Sequence, residues 1–235
     1  MKSTKSITRF DKSGYYFIGL IALVILGFWP SYFSKFFNGT GDFTFYFHFH
    51  TILMSLWMLT LILQPILIRR RKLTIHKWIG KGSYILFPLM FISILLLMHS
   101  RNKLNNENLD MALFVPFKDL IILGTAYLIA ITYRKNMEIH ARAMIATGIV
   151  FIEPALVRFI NYAIIPLPEA YAVAMFILYS LIIILIIKER KQKKGRWVFP
   201  LILGLYIIVH SIIVFNIHLT TWESISKWFI ALPLT

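Results

Sequence analysis

The chain of 235 residues is 58% hydrophobic and only 15% charged, with a mean hydropathy of +0.72, more apolar surface than a soluble domain of this size buries. It contains no cysteine, which excludes disulfides, thiolate metal sites, iron–sulfur clusters and covalently attached haem. The formal net charge is +15, and the placement of those charges decides between a nucleic-acid surface and a membrane.

Taken in order, the apolar runs predict membrane spans at 15–33, 45–68, 76–99, 112–133, 140–163, 168–188 and 197–218. Each is near the ~20 residues that cross a hydrocarbon core at ~1.5 Å per residue. The fold expected is all-α, a polytopic transmembrane helix bundle of about seven spans forming one integral membrane domain over 1–235. The first span follows Lys2, Lys5, Arg9 and Lys12. The segment after it, PSYFSKFF, offers no small-residue cleavage site, so it reads as a retained anchor.

The second and third spans are joined at Arg69, Arg70, Arg71 and Lys72. Four consecutive bases cannot lie in lipid and fix that turn at a membrane surface. The loop 100–111 is polar, and 221–232, with Trp222, Trp228 and Phe229, suits a helix lying in the interface. No internal repeat of the inverted-transporter kind is visible. Gly80-Lys81-Gly82-Ser83 imitates the end of a phosphate loop but lacks the earlier glycine and falls inside a span.

With the N-terminus placed in the cytoplasm, 19 of the 25 Lys and Arg fall in inner segments and four in outer ones. That distribution is a positive-inside signature. It predicts a multi-pass inner-membrane protein, with anionic lipids as partners at its cytoplasmic face. No nucleic acid is required, and no protein partner is indicated.

Several histidines stand at helix ends. His76 opens the third span and His140 the fifth, both at the cytoplasmic side, with Gly80 and Ser83 below His76. Two neutral imidazoles on facing helices are able to hold both axial positions of a b-type haem, with Arg142 among the bases near its propionates and His50 as a further candidate ligand. The plainer reading makes these histidines interfacial.

The run FHFHTILMSLWMLTLILQPILI, the basic turn and LTIHKWIGKGSY resemble the second and third helices of ascorbate-reducible transmembrane cytochromes b. Those helices also begin with histidine and carry a Leu-Met pair. The histidine pairing of that family, helix two with four and three with five, implies His76 with His140. Helix four here, MALFVPFKDLIILGTAYLIAITY, has no histidine, so the resemblance implies one haem rather than two. Over 45–160 the chain also resembles bacterial multi-pass membrane proteins with a His-rich second helix, an HKWIGK-like third and an HARxMI-like fifth. That resemblance implies the architecture and no activity.

Two further constellations complete the candidates. His48, His50, His99 and His210 fall near outer ends, where zinc or copper would accept their nitrogens, against the plainer reading of an interfacial belt. Lys118, Asp119, Glu153 and Arg158 lie within spans, where each charge costs ~2.5–3.5 kcal/mol on insertion scales. They are therefore expected to pair, as Glu153 with Lys118 and Asp119 with Arg158, or to line a wet pocket that His50 and His210 complete. The reading that follows is haem- or metal-dependent membrane electron transfer. The alternatives are a transporter or ligand-binding protein using the charged pocket, and a structural or assembly protein.

Overall fold

The computed structural model describes residues 13–102 and 108–235. The basic start at Lys2, Lys5, Arg9 and Lys12, and residues 103–107 of the polar loop, lie outside them. The described residues form helices and no strand: α1 (Ser13–Phe28), a π-helical turn (Trp29–Phe33), α2 (Ser34–Phe37), α3 (Phe45–Arg69), α4 (Leu73–Arg101) and α5 (Leu109–Thr132). There follow α6 (Met137–Ile149), α7 (Ile152–Ala163), α8 (Glu169–Glu189), α9 (Val198–Val214) and α10 (Thr220–Ala231).

Among the described residues, six apolar helical segments of 21 to 29 residues are long enough to cross a membrane, α1–α2 and α6–α7 each counting as one. The chain is a multi-pass integral membrane protein. The seventh expected span is shorter than its apolar run: α9 has 17 residues, about 25 Å at ~1.5 Å per residue. It ends because Asn216 takes a left-handed φ of 46°, the conformation of a helix stop that asparagine tolerates. Its successor Ile217 then donates back to the Ile212 carbonyl at 2.9 Å.

Proline explains the two irregular spans. Pro30 has no amide hydrogen for the Leu26 carbonyl and its ring crowds that turn, so the chain widens into the π-helical turn. The Leu26 carbonyl accepts instead from the Tyr162 hydroxyl at 2.6 Å. Pro154 acts likewise on the Val150 carbonyl. The predicted span 140–163 is accordingly two helices, broken at Val150 and Phe151.

Two antiparallel hairpins, α3–α4 and α5–α6, are each tightly paired, and they touch one another much less than they touch within themselves. The first turns through Arg71 at φ 58°. The second turns into α6 at Asn136, whose side-chain oxygen accepts from the amides of Glu138 and Ile139 at 3.2 and 3.4 Å, an N-cap. Helix α1 lies on α7 and α3. Glycine makes that approach possible, since a Cβ on Gly27 would overlap the backbone of Ala155 and one on Gly14 the Ile62 carbonyl. Helices α8 and α9 close the bundle over α5, α6 and α7, while α10 packs on α5. The core runs through Trp57, Met90, Ile122, Leu178, Ile202 and Tyr206, all without solvent exposure.

Candidate functional site

The centre of the bundle is ionised. Lys118 on α5 has no solvent exposure and Glu153 on α7 is 2% exposed. The Lys118 ammonium donates to Oε1 of Glu153 at 2.6 Å and to Oδ1 of Asp119 at 2.7 Å. The other oxygen of Glu153 accepts from Nε2 of His210 on α9 at 3.0 Å, and Nδ1 of His210 accepts from the Tyr179 hydroxyl of α8 at 2.8 Å. Four helices thus contribute to one unbroken chain of hydrogen bonds, Asp119–Lys118–Glu153–His210–Tyr179.

Local structure sets this chemistry up. The break before α7 places Glu153 in that helix's first turn, where the unpaired amides and the helix dipole favour a carboxylate. Tyr206 stands one turn before His210 on α9, and the rings of Tyr171, Tyr179 and Tyr206 surround its imidazole at centroid distances of 5.8, 5.7 and 5.4 Å. The hydroxyls of Tyr171 and Tyr206 are buried without a hydrogen-bond partner among the described residues. Buried polar atoms of this kind are uncommon and cost about 1–3 kcal/mol each.

Of the four in-span charges, three meet. The expected Glu153–Lys118 pair forms, whereas Asp119 takes Lys118 rather than Arg158. Arg158 donates to the Pro154 carbonyl at 2.8 Å and stacks over the Phe28 ring at 4.6 Å, a cation–π contact. His210 joins the cluster. His50 does not: its Nδ1 lies 3.2 Å from the Ser93 hydroxyl, which itself donates to the Met90 carbonyl.

The outward histidines do not converge. His48 contacts the Tyr32 hydroxyl at 3.1 Å. His99 uses both nitrogens at the C-terminal segment, on Thr235 at 2.6 Å and the Leu232 carbonyl at 2.8 Å. His210 is equally committed. Among the described residues no three His, Cys, Asp or Glu side chains gather as a metal site.

At the other end of the bundle His140 donates from Nδ1 to the Ala130 carbonyl at 2.8 Å, which fixes the tautomer and leaves Nε2 with its lone pair. His76 has a buried Nδ1 without a partner among the described residues. Gln64 reaches the same turn, donating to the His76 carbonyl at 3.2 Å. Arg142 is fully buried and paired with Glu189 at the end of α8, and it donates to the Glu138 carbonyl at 2.7 Å. Its charge is therefore already matched within the protein.

The tyrosines around His210, and Glu189 opposite Arg142, are what reading the sequence missed. The i, i+4 spacing of Tyr206 and His210 was the available signal, but an apolar span with one tyrosine per turn or two is common enough to pass unnoticed. No protein-family model, no curated protein and no solved structure matches the chain.

Proposed function

We propose that this is a transport-type membrane protein of a bacterial inner membrane, with Lys118, Glu153 and His210 as its in-membrane ion-handling site. The carrying observation is that Glu153, shut away from solvent in an apolar bundle, holds an ammonium on one oxygen and an imidazole on the other. Ionisable groups inside a membrane mark ion and substrate pathways or proton relays. The test is charge displacement by reconstituted protein on a solid-supported membrane, after rapid jumps of sodium, chloride or pH. Wild type should give a transient with one of these ions, and Glu153→Gln should lose it at equal folded amount. Identical transients from both proteins, or none from wild type with any ion, would leave the cluster a structural device of an assembly protein.

The orientation proposed puts the N-terminus and the bases of the α3–α4 and α8–α9 turns in the cytoplasm, against anionic headgroups. Cysteines replacing Thr40 and Lys193, both exposed, should then label from opposite faces, Thr40 from the periplasm. Labelling of both from the periplasm would overturn it.

A second reading, b-type haem electron transfer, is favoured by the freed Nε2 of His140 and the unpartnered Nδ1 of His76. The donor set fits, since a ligating histidine characteristically gives its other ring N–H to a carbonyl. His76 and His140 would hold the group, which would supply one-electron chemistry there. Arg142 is a poor propionate partner while Glu189 holds it. Protein purified with haem should show a low-spin b-type spectrum that His140→Ala shifts or abolishes. Protein that stays colourless after haem is added would remove this reading.

A further inference from the structure

We infer that the ion handled at the Glu153 site is the proton, and that Asp119, Lys118, Glu153, His210 and Tyr179 are its relay. The inference rests on the transport reading above and deepens it. Its starting point is contact: every neighbouring pair in the series lies between 2.6 and 3.0 Å. Nothing of ionic size fits between groups that already touch.

The charges narrow the choice further. The place between the two carboxylates, where a sodium ion would sit, is occupied by the Lys118 ammonium. An anion would meet the carboxylates of Glu153 and Asp119 at close quarters. A proton needs neither a cavity nor a coordination shell, only hydrogen bonds whose members each accept one proton and give one.

The transfer balances as follows. Tyr179 takes a proton on its oxygen and gives its own to Nδ1 of His210. The imidazolium so formed passes its Nε2 proton to Oε2 of Glu153. The Glu153 carboxyl turns about its Cγ–Cδ bond to present that proton to Lys118, which gives one proton to Oδ1 of Asp119 and takes this one from Glu153. One proton has entered at Tyr179 and one has arrived on Asp119, with Lys118 and Glu153 restored. His210 ends as the Nδ1–H tautomer, the one change the series retains after a single passage. Both termini are the less buried members, the Asp119 side chain being 19% exposed and Tyr179 half-buried.

Among the described residues, few further titratable groups face this series. Arg158 lies on α7 beyond Asp119, Tyr171 on α8 and Tyr206 on α9 flank His210, and His50 on α3 is tied to Ser93. The two unpartnered tyrosine hydroxyls are the polar surface on which a proton passing through His210 is solvated.

The experiment is the pH jump on the same reconstituted membrane, read for wild type, Tyr179→Phe, His210→Gln, Asp119→Asn and Glu153→Gln. Tyr179→Phe removes one oxygen from a half-buried ring and is the variant least able to disturb folding. The expected result is a transient driven by pH alone at constant salt, reduced about 100-fold in Tyr179→Phe and His210→Gln, the scale of a lost proton-transfer partner. Infrared difference spectra of the same pH jump should show a carboxyl band that Asp119→Asn removes. A Glu153-dependent transient driven by sodium or chloride at constant pH would overturn the proton and leave the transport reading standing. Wild-type proton currents in both Tyr179→Phe and His210→Gln would overturn the relay. Wild-type currents in Glu153→Gln would overturn both.

Discussion

Lys118 and Glu153, 35 residues apart in sequence, meet at 2.6 Å between ammonium and carboxylate where both are closed to solvent. Removing Lys118 leaves two carboxylates, Glu153 and Asp119, without their shared ammonium, whereas removing Glu153 leaves Lys118 to Asp119 alone. An uncompensated buried charge costs about 3–5 kcal/mol. Lys118→Met and Glu153→Gln should each lower the melting temperature in detergent. The double variant should recover part of the loss seen in Lys118→Met, because it leaves one carboxylate, Asp119, without the ammonium instead of two. Strictly additive losses in the cycle would mean that the two side chains act independently.

Arg142 and Glu189 form a second buried pair that ties the end of α8 to α6. Glu189→Gln should destabilise by about 3–5 kcal/mol. Glu138→Gln is the contrast, since it keeps the backbone carbonyl to which Arg142 donates, and it should stay within about 0.5 kcal/mol. Equal effects of the two on thermal melts would place the anchor elsewhere.

The α1–α7 contact depends on Gly27. Gly27→Val drives a side chain into the Ala155 backbone, and such overpacking costs about 1–3 kcal/mol. Gly19, on the same helix, has open space at its Cβ. Gly19→Ala should therefore be neutral or stabilise by up to about 1 kcal/mol. Detergent melts of the two variants compare them directly.

On α10 the exposed Glu223 and Lys227 pair at 2.7 Å. The hydrogen bond from Lys227 holds the Glu223 carboxyl below its ordinary 4.5, and Glu223 raises the Lys227 ammonium above its ordinary 10.5. The sign follows from linkage. A lowered carboxyl contributes above its unfolded value and loses that contribution as pH falls through the folded one. A raised ammonium contributes below its unfolded value and loses it as pH rises through the folded one. Helix α10 should thus be best held between those limits and loosen in acid. Trp228 emission followed during acidification should shift less in Lys227→Ala, where no pair exists to lose.

Much of the fold was legible residue by residue. The expected 45–68, 76–99, 112–133 and 168–188 differ from α3, α4, α5 and α8 by three residues or fewer at each end. The expected span 140–163 is instead broken at Val150 and Phe151, two to three residues before Glu153. The short α9 was not legible, because its stop lies in the left-handed backbone of Asn216 rather than in hydropathy.

The sequence by itself determined the membrane class, the spans and the presence of charges that must find partners. Apolar length is additive along the chain, and a helix closes its backbone hydrogen bonds locally, so both can be summed from neighbours. Which partners those charges found was decided only by tertiary structure. Consecutive residues on a helix point about 100° apart, so the rotation of α5 and α7 about their axes turned Lys118 toward Glu153 and left Arg158 over the Phe28 ring. The packing of α8 and α9 then delivered Tyr179 and His210 to Glu153. The approach of α1 to α7 and α3 through Gly27 and Gly14, and the break before Pro154, are likewise properties of helices packed together that no single stretch of sequence contains.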